Sequence, residues 1–340
     1  MYPRCKVLLE TDFLMSRFLA TLQLMRVALA FTAVADTWTI MFLHGPGRPA
    51  PANPVVSLIL AGATSFFLYS FGMVLNDLLD ARRDRLFAPW RPIPSGRISP
   101  AAATVLSLLF LLLSLFSAAM LIVYQRHVLM PISLLLAMGV ALLIVFYNAA
   151  AKYLGAIGLL TLGLIRALNC LIGKPDSHFL LLSMLLFTHI TLVSTAAYYL
   201  ESKRPRLKLK DVAAIPAGLL FLNGLMLAAM VYWHQINRSF LLDALGLGLA
   251  FTAYFLWAGV IFFNRKIPPR VRGQRVMQIG LFWLFIYDSM LLASNGQPLA
   301  ALVILALGVI AVAAFVILRL LGRGSPHKPQ YRVLRAAASR

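Results

Sequence analysis

The sequence predicts an all-α membrane protein: a bundle of nine to ten transmembrane helices forming one domain over residues 1–340. Three observations predict it. Mean hydropathy is +0.84 and 61% of the residues are hydrophobic, which is too apolar for a domain with a water-facing surface. Ten apolar segments recur, roughly 18–43, 55–75, 101–124, 128–147, 153–173, 179–200, 212–233, 240–263, 276–294 and 298–321. Each suits a helix crossing a hydrocarbon core about 30 Å thick, since lipid offers backbone N–H and C=O groups no partner but the helix itself. The basic residues also alternate across the segments. With the N-terminal side taken as cytoplasmic, 24 of the 31 Lys and Arg residues fall on that side, four fall opposite, and Arg26, Arg166 and Arg319 lie within spans. That is the positive-inside pattern. The formal charge of +20 therefore reads as topology and attraction to anionic lipid, and not as nucleic-acid binding. The expected location is a cell inner or plasma membrane, multi-pass, with the basic loops cytoplasmic.

The first segment carries two charges, Arg26 and Asp36. Ten residues of helix separate them by about 15 Å, too far for a direct pair. Arg26 either snorkels to the inner interface or faces the bundle interior with Asp36. Arg17 to Ala35 also has the outline of a signal peptide, a basic start and an Ala33-Val34-Ala35 ending. The interruption at Arg26 and the continued apolar run to Leu43 favour a first transmembrane helix.

The second segment runs into the stretch Met73 to Ser99, MVLNDLLDARRDRLFAPWRPIPSGRIS, which holds three of the eleven acidic residues within eight positions. Asp77, Asp80 and Asp84 stand at i, i+3 and i+7 and so share one helix face, bordered by Asn76. Three carboxylates so placed repel one another unless a cation joins them. Hard oxygen ligands suit Mg²⁺, which keeps positions for water and substrate phosphates. Arg82, Arg83, Arg85, Arg91 and Arg97 follow, and guanidinium matches phosphate oxygens. Acids for a metal beside bases for phosphate indicate a metal-diphosphate site; a solvated helix end with internal salt bridges is the plainer reading.

The motif N-D-x-x-D-x-x-x-D followed by R-P-I-P-S-G-R-I, here Asn76, Asp77, Asp80 and Asp84 and then Arg91 to Ile98, resembles the first aspartate-rich motif of the UbiA superfamily of intramembrane prenyltransferases. The resemblance implies an all-α bundle with a cavity open to the cytoplasmic side and the membrane. It implies Mg²⁺ held by Asn76, Asp77, Asp80 and Asp84 on the diphosphate of an isoprenyl donor. Ten segments are one more than is usual in that family. Either 276–294, the least apolar segment with Gln278, Tyr287, Asp288 and Ser289, is short or half-inserted, or the chain has an extra span; the charge alternation favours a full span.

The fifth segment and its entrance read YNAAAKYLGAIGLLTLGLIRALNCLIG. Tyr147 and Lys152 stand at the entrance, and Arg166 and Asn169 share a face at i, i+3. UbiA-type enzymes carry Tyr and Lys here as Y-x-x-x-K, with Lys near the diphosphate; this chain has one residue more between them. An aromatic and a base at the membrane edge are also an ordinary interfacial anchor. The R-A-L-N-x-L-I-G stretch resembles the EboC-like branch of the superfamily. Arg166 is either a substrate contact or a buried pair with Asn169 or a helix carbonyl. His189 reads as a packed, hydrogen-bonded core histidine, Asp243 and Asp288 as interfacial or internally bonded, and Arg319 as snorkelling. Cys5 and Cys170 are far apart and imply no disulfide framework.

The resemblance weakens after the sixth segment, where the family carries a second aspartate-rich motif. Here the chain reads STAAYYLESKRPRLKLKD, with Glu201 as the one acid at the expected place and Asp211 ten residues on. A single Mg²⁺ held by Asp77, Asp80 and Glu201, with Lys203, Arg204 and Arg206 neutralising charge, is the arrangement this leaves. The expected catalytic group is Asp77, Asp80, Asp84 and Lys152. The expected substrate contacts are Asn76, Arg91, Arg97, Tyr147, Arg166 and Asn169. The expected partners are an isoprenyl diphosphate, a lipophilic acceptor, aromatic or otherwise, and membrane lipids. A UbiA-like bundle with a degenerate second motif also fits non-catalytic transport of a lipid or metabolite, or a scaffold role. The basic tail, 322–340, is expected at the membrane surface.

Overall fold

The computed structural model describes residues 17–43, 53–125, 131–174, 180–202, 205–234, 236 and 238–324. Lys203, Arg204 and nearly all of the predicted tail lie outside the described residues. Among those described, the regular structure is helical throughout. The helices are α1 (Arg17–Met25), α2 (Val27–Phe42), α3 (Pro54–Leu79), α4 (Ala81–Phe87), α5 (Pro100–Gln125), α6 (Pro131–Ala149), α7 (Ala156–Leu171), α8 (Leu180–Leu200), α9 (Leu209–Tyr232), α10 (Arg238–Phe263), α11 (Pro269–Ser294) and α12 (Pro298–Gly324), with a 3-10 turn at Ala151–Tyr153. Eight of them are long and apolar enough to cross a membrane, and α1 with α2 would make a ninth. The protein is a multi-pass, all-α membrane bundle.

The sequence and structure differ at the first and fifth segments, and the choice left open at 276–294 resolves as a full-length helix. The first segment is not one helix: it breaks at Arg26, whose φ of 49° is left-handed, and α1 meets α2 at 41°. A non-glycine residue holds that conformation only against steric strain. The segment at 276–294 is neither short nor half-inserted, because α11 starts earlier, at Pro269, and runs 26 residues. The short helix is instead the fifth, α7, with 16 residues, about 24 Å at 1.5 Å per residue. It starts late because Gly155 turns the chain at φ +58°. A Cβ there would stand 2.6 Å from Asp211 Oδ1. That carboxylate accepts from the backbone N–H of Ala156 at 3.3 Å and of Lys208 at 2.8 Å, tying the start of α7 to the start of α9. Asp211 is thus occupied as a cap.

Among the described residues, and beside two smaller clusters, two large apolar cores fill most of the bundle. One joins α1, α3, α5 and α6 around Leu24, Leu68, Phe71, Phe110 and Ile144. The other joins α2, α8, α10, α11 and α12 around Ile40, Leu186, Leu284, Tyr287 and Ile304. Helix α7 contributes to both, Leu168 to the first and Leu162 to the second. Helices α9 and α12 leave most of their apolar surface outward, as lipid-facing helices do. α7 and α8 approach closely at Gly163, where a Cβ would meet the Thr191 hydroxyl and stand 2.7 Å from the Phe187 carbonyl oxygen. Gly163→Ala is expected to push the two helices apart and cost about 1–3 kcal/mol by overpacking, read as a lower denaturation midpoint.

Candidate functional site: a carboxylate and base basin at one end of the bundle

The aspartate motif lies where α3 gives way to α4. Asp77 is in the last turns of α3, Asp80 stands between the helices at φ −84°, ψ −2°, and Asp84 is in α4. Backbone bonds from Asp80 N to Asn76 O and from Asp84 N to Asp80 O, 3.0 and 2.8 Å, carry the helical course through the junction. The three carboxylates therefore keep their shared side. Asp77 and Asp84 are buried, at 4% and 7% exposed.

A base faces each acid. Arg91 Nη1 lies 2.6 Å from Asp84 Oδ2 and 3.3 Å from Asp77 Oδ1. Lys152 Nζ donates to Asp80 Oδ1 at 2.8 Å. Arg26 Nη2 lies 3.6 Å from Asp77 Oδ1, and the Asn76 amide donates to the same oxygen at 3.4 Å. Burial pushes the Asp84 carboxyl above its ordinary range, Arg91 pulls it back, and Asp77 and Asp80 add to the rise. Tyr147 is half-buried, within electrostatic reach of Asp80 and Arg26.

The loop after α4 explains why the motif continues as R-P-I-P-S-G-R-I. Ile93 and Ile98 are buried in the first core. Gly96 turns the chain at φ +77°, and backbone bonds link Ser95 to Arg91 and Ile98 to Pro92. The anchored loop presents Arg91 to the acids. Arg97 does not reach them. Its guanidinium donates to Ser95 Oγ, Gln23 Oε1 and the Trp90 carbonyl at 3.1, 3.0 and 2.9 Å. The expected substrate contact at Arg97 is thus a staple between the loop and α1. Arg97→Ala is expected to cost about 1–3 kcal/mol by leaving partners unmet, seen as earlier thermal denaturation.

Two other expected contacts lie elsewhere. The Asn169 amide donates to the Ala33 carbonyl at 3.3 Å and to Thr37 Oγ1 at 3.4 Å, holding α7 to α2. Arg166 pairs with Asp36 of α2, and neither Asn169 nor a helix carbonyl is its partner. Arg26 is the residue sequence reasoning undervalued: it bends inward to Asp77. The signal was present, since a charge inside an apolar run needs a partner and the one acid of its own segment, Asp36, was too far along the helix to supply it.

The expected four-carboxylate metal set is not assembled. Among the described residues, no group of three or more His, Cys, Asp or Glu side chains is placed to hold a metal ion. Glu201, at the end of α8, packs its Cγ against Gly273 of α11, and Arg91, Arg26 and Lys152 face the three aspartates. The donors nonetheless fit a hard cation on one observation: Asp77 and Asp84 converge on a single positively charged nitrogen. Two carboxylates sharing one cationic point match the one or two that Mg²⁺ usually takes, its other positions being left to water and phosphate.

Comparison with known proteins bears on this arrangement. The profile of the UbiA prenyltransferase family matches residues 28–266. Digeranylgeranylglyceryl phosphate synthase of Sulfurisphaera tokodaii is 30% identical over 140 residues, 41% of this chain and 43% of that protein. The protein of the same name from Methanosarcina barkeri is 28% identical over 147 residues, 42% of this chain and 48% of that one. The chain thus spans less than half the length of these curated relatives. A solved structure described as giving insight into digeranylgeranylglyceryl phosphate synthase in membranes superposes with a TM-score of 0.55 at 19% identity, covering 84% of this chain and 99% of that one; it shows the same fold. These relatives do not carry the name of the EboC-like branch.

Proposed function

We propose the following function for this chain, which belongs to the UbiA prenyltransferase family: Mg²⁺-dependent transfer of an isoprenyl group from a prenyl diphosphate to a lipophilic acceptor in the membrane. The observation that carries the proposal is the interleaving of Asp77, Asp80 and Asp84 with Arg26, Arg91 and Lys152 at one end of the bundle. A diphosphate is the ligand that this balanced set can rearrange around. Its oxygens would take the bases, and the released carboxylates, with the Asn76 side chain, would hold the metal.

In this reading Lys152, Arg91 and Arg26 bind the diphosphate oxygens and Tyr147 borders the basin. Bound Mg²⁺ supplies neutralisation of the negative charge that builds on the leaving diphosphate. The allylic C–O bond breaks with its electron pair going to diphosphate. The acceptor's nucleophilic atom then bonds the cation-like carbon and loses a proton. The apolar cores flanking the basin keep water from capturing that carbon. The relatives' name gives a glyceryl phosphate lipid as the acceptor class, preferred here over an aromatic ring. No branch of the family is assigned. The chain is read as a single domain, and the positive-inside charge distribution supports a cytoplasmic side for the basin.

One observation favours a second reading. Glu201 packs against Gly273 of α11 and Asp211 caps the start of α7, and among the described residues no three acids are placed to hold a metal ion together. That leaves a smaller ligand set for metal and suits a bundle that binds or moves a lipid without reacting it. The purified protein in lipid vesicles, given labelled geranylgeranyl diphosphate and a glyceryl phosphate lipid, decides between them. Catalysis predicts labelled lipid product with Mg²⁺ and loss of product with EDTA. Donor binding without product from glyceryl phosphate lipid or aromatic acceptors supports the second reading.

A further inference from the structure

A second buried charge cluster lies on helices that the basin does not use for catalysis. Asp36 of α2 and Asp288 of α11 are both 0% exposed, and Arg166 of α7 is 6% exposed. Arg166 Nε pairs with Asp36 Oδ2. The Asp288 carboxyl faces that of Asp36 and the hydroxyl of Thr39. Among the described residues, both oxygens of each aspartate, Arg166 Nε and Nη2 and the fully buried Thr39 hydroxyl lack a well-aligned hydrogen bond, so the ion pair is the only partner the charges have here. Two carboxylates and one guanidinium leave one negative charge over, inside a bundle whose surroundings are apolar and lipid-facing. An uncompensated carboxylate is not stable in such a medium.

Two kinds of positive charge could restore neutrality, a metal ion or a proton. A metal ion needs several oxygens around it and here would sit beside a guanidinium that repels it. A proton needs only two facing oxygens, and facing carboxyls that cannot both ionise share one. We propose that Asp36 and Asp288 bind a single proton between them, so that the Asp36–Arg166–Asp288 triad is neutral and α2, α7 and α11 are joined through it. The other titratable groups around the triad are Tyr69 and His189, near Arg166, and Cys170, near both acids. None of these is a carboxylic acid, so none can imitate its signal.

The test is infrared spectroscopy of the full chain in lipid nanodiscs at neutral pH, in H₂O and D₂O, comparing the wild type with Asp288→Asn and Asp36→Asn. Either amide keeps the shape and the donor of a protonated carboxyl, and in either variant the remaining acid pairs with Arg166 and ionises. The expected result is a protonated-carboxyl stretch, shifted in D₂O, that is present in the wild type and lost in both variants. Asp36→Asn is the deciding variant, because only a shared proton is lost with Asp36, and Asp36→Ser takes its place if it does not fold. No such band in the wild-type-minus-variant spectra overturns the proposal, and stabilisation of the wild type by Na⁺ that both variants lack would replace the proton with a metal ion. Loss of the band in Asp288→Asn alone would place the proton on Asp288 and overturn the sharing.

Discussion

Asp77→Ala and Asp80→Ala are each expected to lower prenyl-transfer turnover by about 10²–10³-fold or more, the usual consequence of deleting one group that stabilises charge in a transition state. Folded protein should still be recovered. Asp77 lies beneath Arg91 and Arg26, and Asp80 carries Lys152. Removing either acid frees bases at the bundle's end, where Arg26 and Arg91 side chains are already 39% and 33% exposed. Asp77→Ala therefore strands no charge in the apolar core; Asp80→Ala leaves Lys152, whose side chain is 10% exposed, without its carboxylate and is expected to lose some stability as well, while in both variants the metal-diphosphate set is lost. Turnover in labelled-product assays, paired with size-exclusion profiles of each variant, checks both halves. Normal turnover in both variants would remove the basin from the mechanism.

The largest effect on stability is expected from Arg166→Ala. It leaves Asp36 and Asp288 facing each other with no base, both fully buried. Breaking a buried charge set by deleting one partner costs about 3–5 kcal/mol, enough to remove most of the folded protein from detergent extracts. The cost is in the stranded acids and not in the lost arginine packing. Arg166→Ala combined with Asp36→Asn and Asp288→Asn is therefore expected to recover most of the loss, because well-packed neutral residues replace buried ions at little cost. Denaturation midpoints for the single and triple variants measure this directly. Equal destabilisation of both would assign the effect to packing.

The sequence makes the helical bundle legible because membrane spans are written as long apolar runs, and a run needs no knowledge of its neighbours. It makes Asp77, Asp80 and Asp84 legible for the same local reason: their spacing alone puts them on one side. What it hides are partners distant in the chain. Arg166 is 130 residues from Asp36 and 122 from Asp288, and no periodicity links them. Arg97 looks like Arg91 in sequence, yet one staples the loop and the other enters the basin, because the turn at Gly96 separates their directions. The bend at Arg26 is hidden too, since the apolar pattern continues across it. Glu201 stands at the expected place along the chain and Asp211 ten residues on, but helix packing at Gly273 and a cap at Ala156 occupy them.

The most direct test of a metal-diphosphate site in the basin is binding of a non-hydrolysable geranylgeranyl diphosphate analogue to the purified protein, with and without Mg²⁺, for the wild type and Asp80→Ala. Binding that requires Mg²⁺ in the wild type and is lost in Asp80→Ala is the predicted result. Binding indifferent to both metal and Asp80, or none at all, would contradict it.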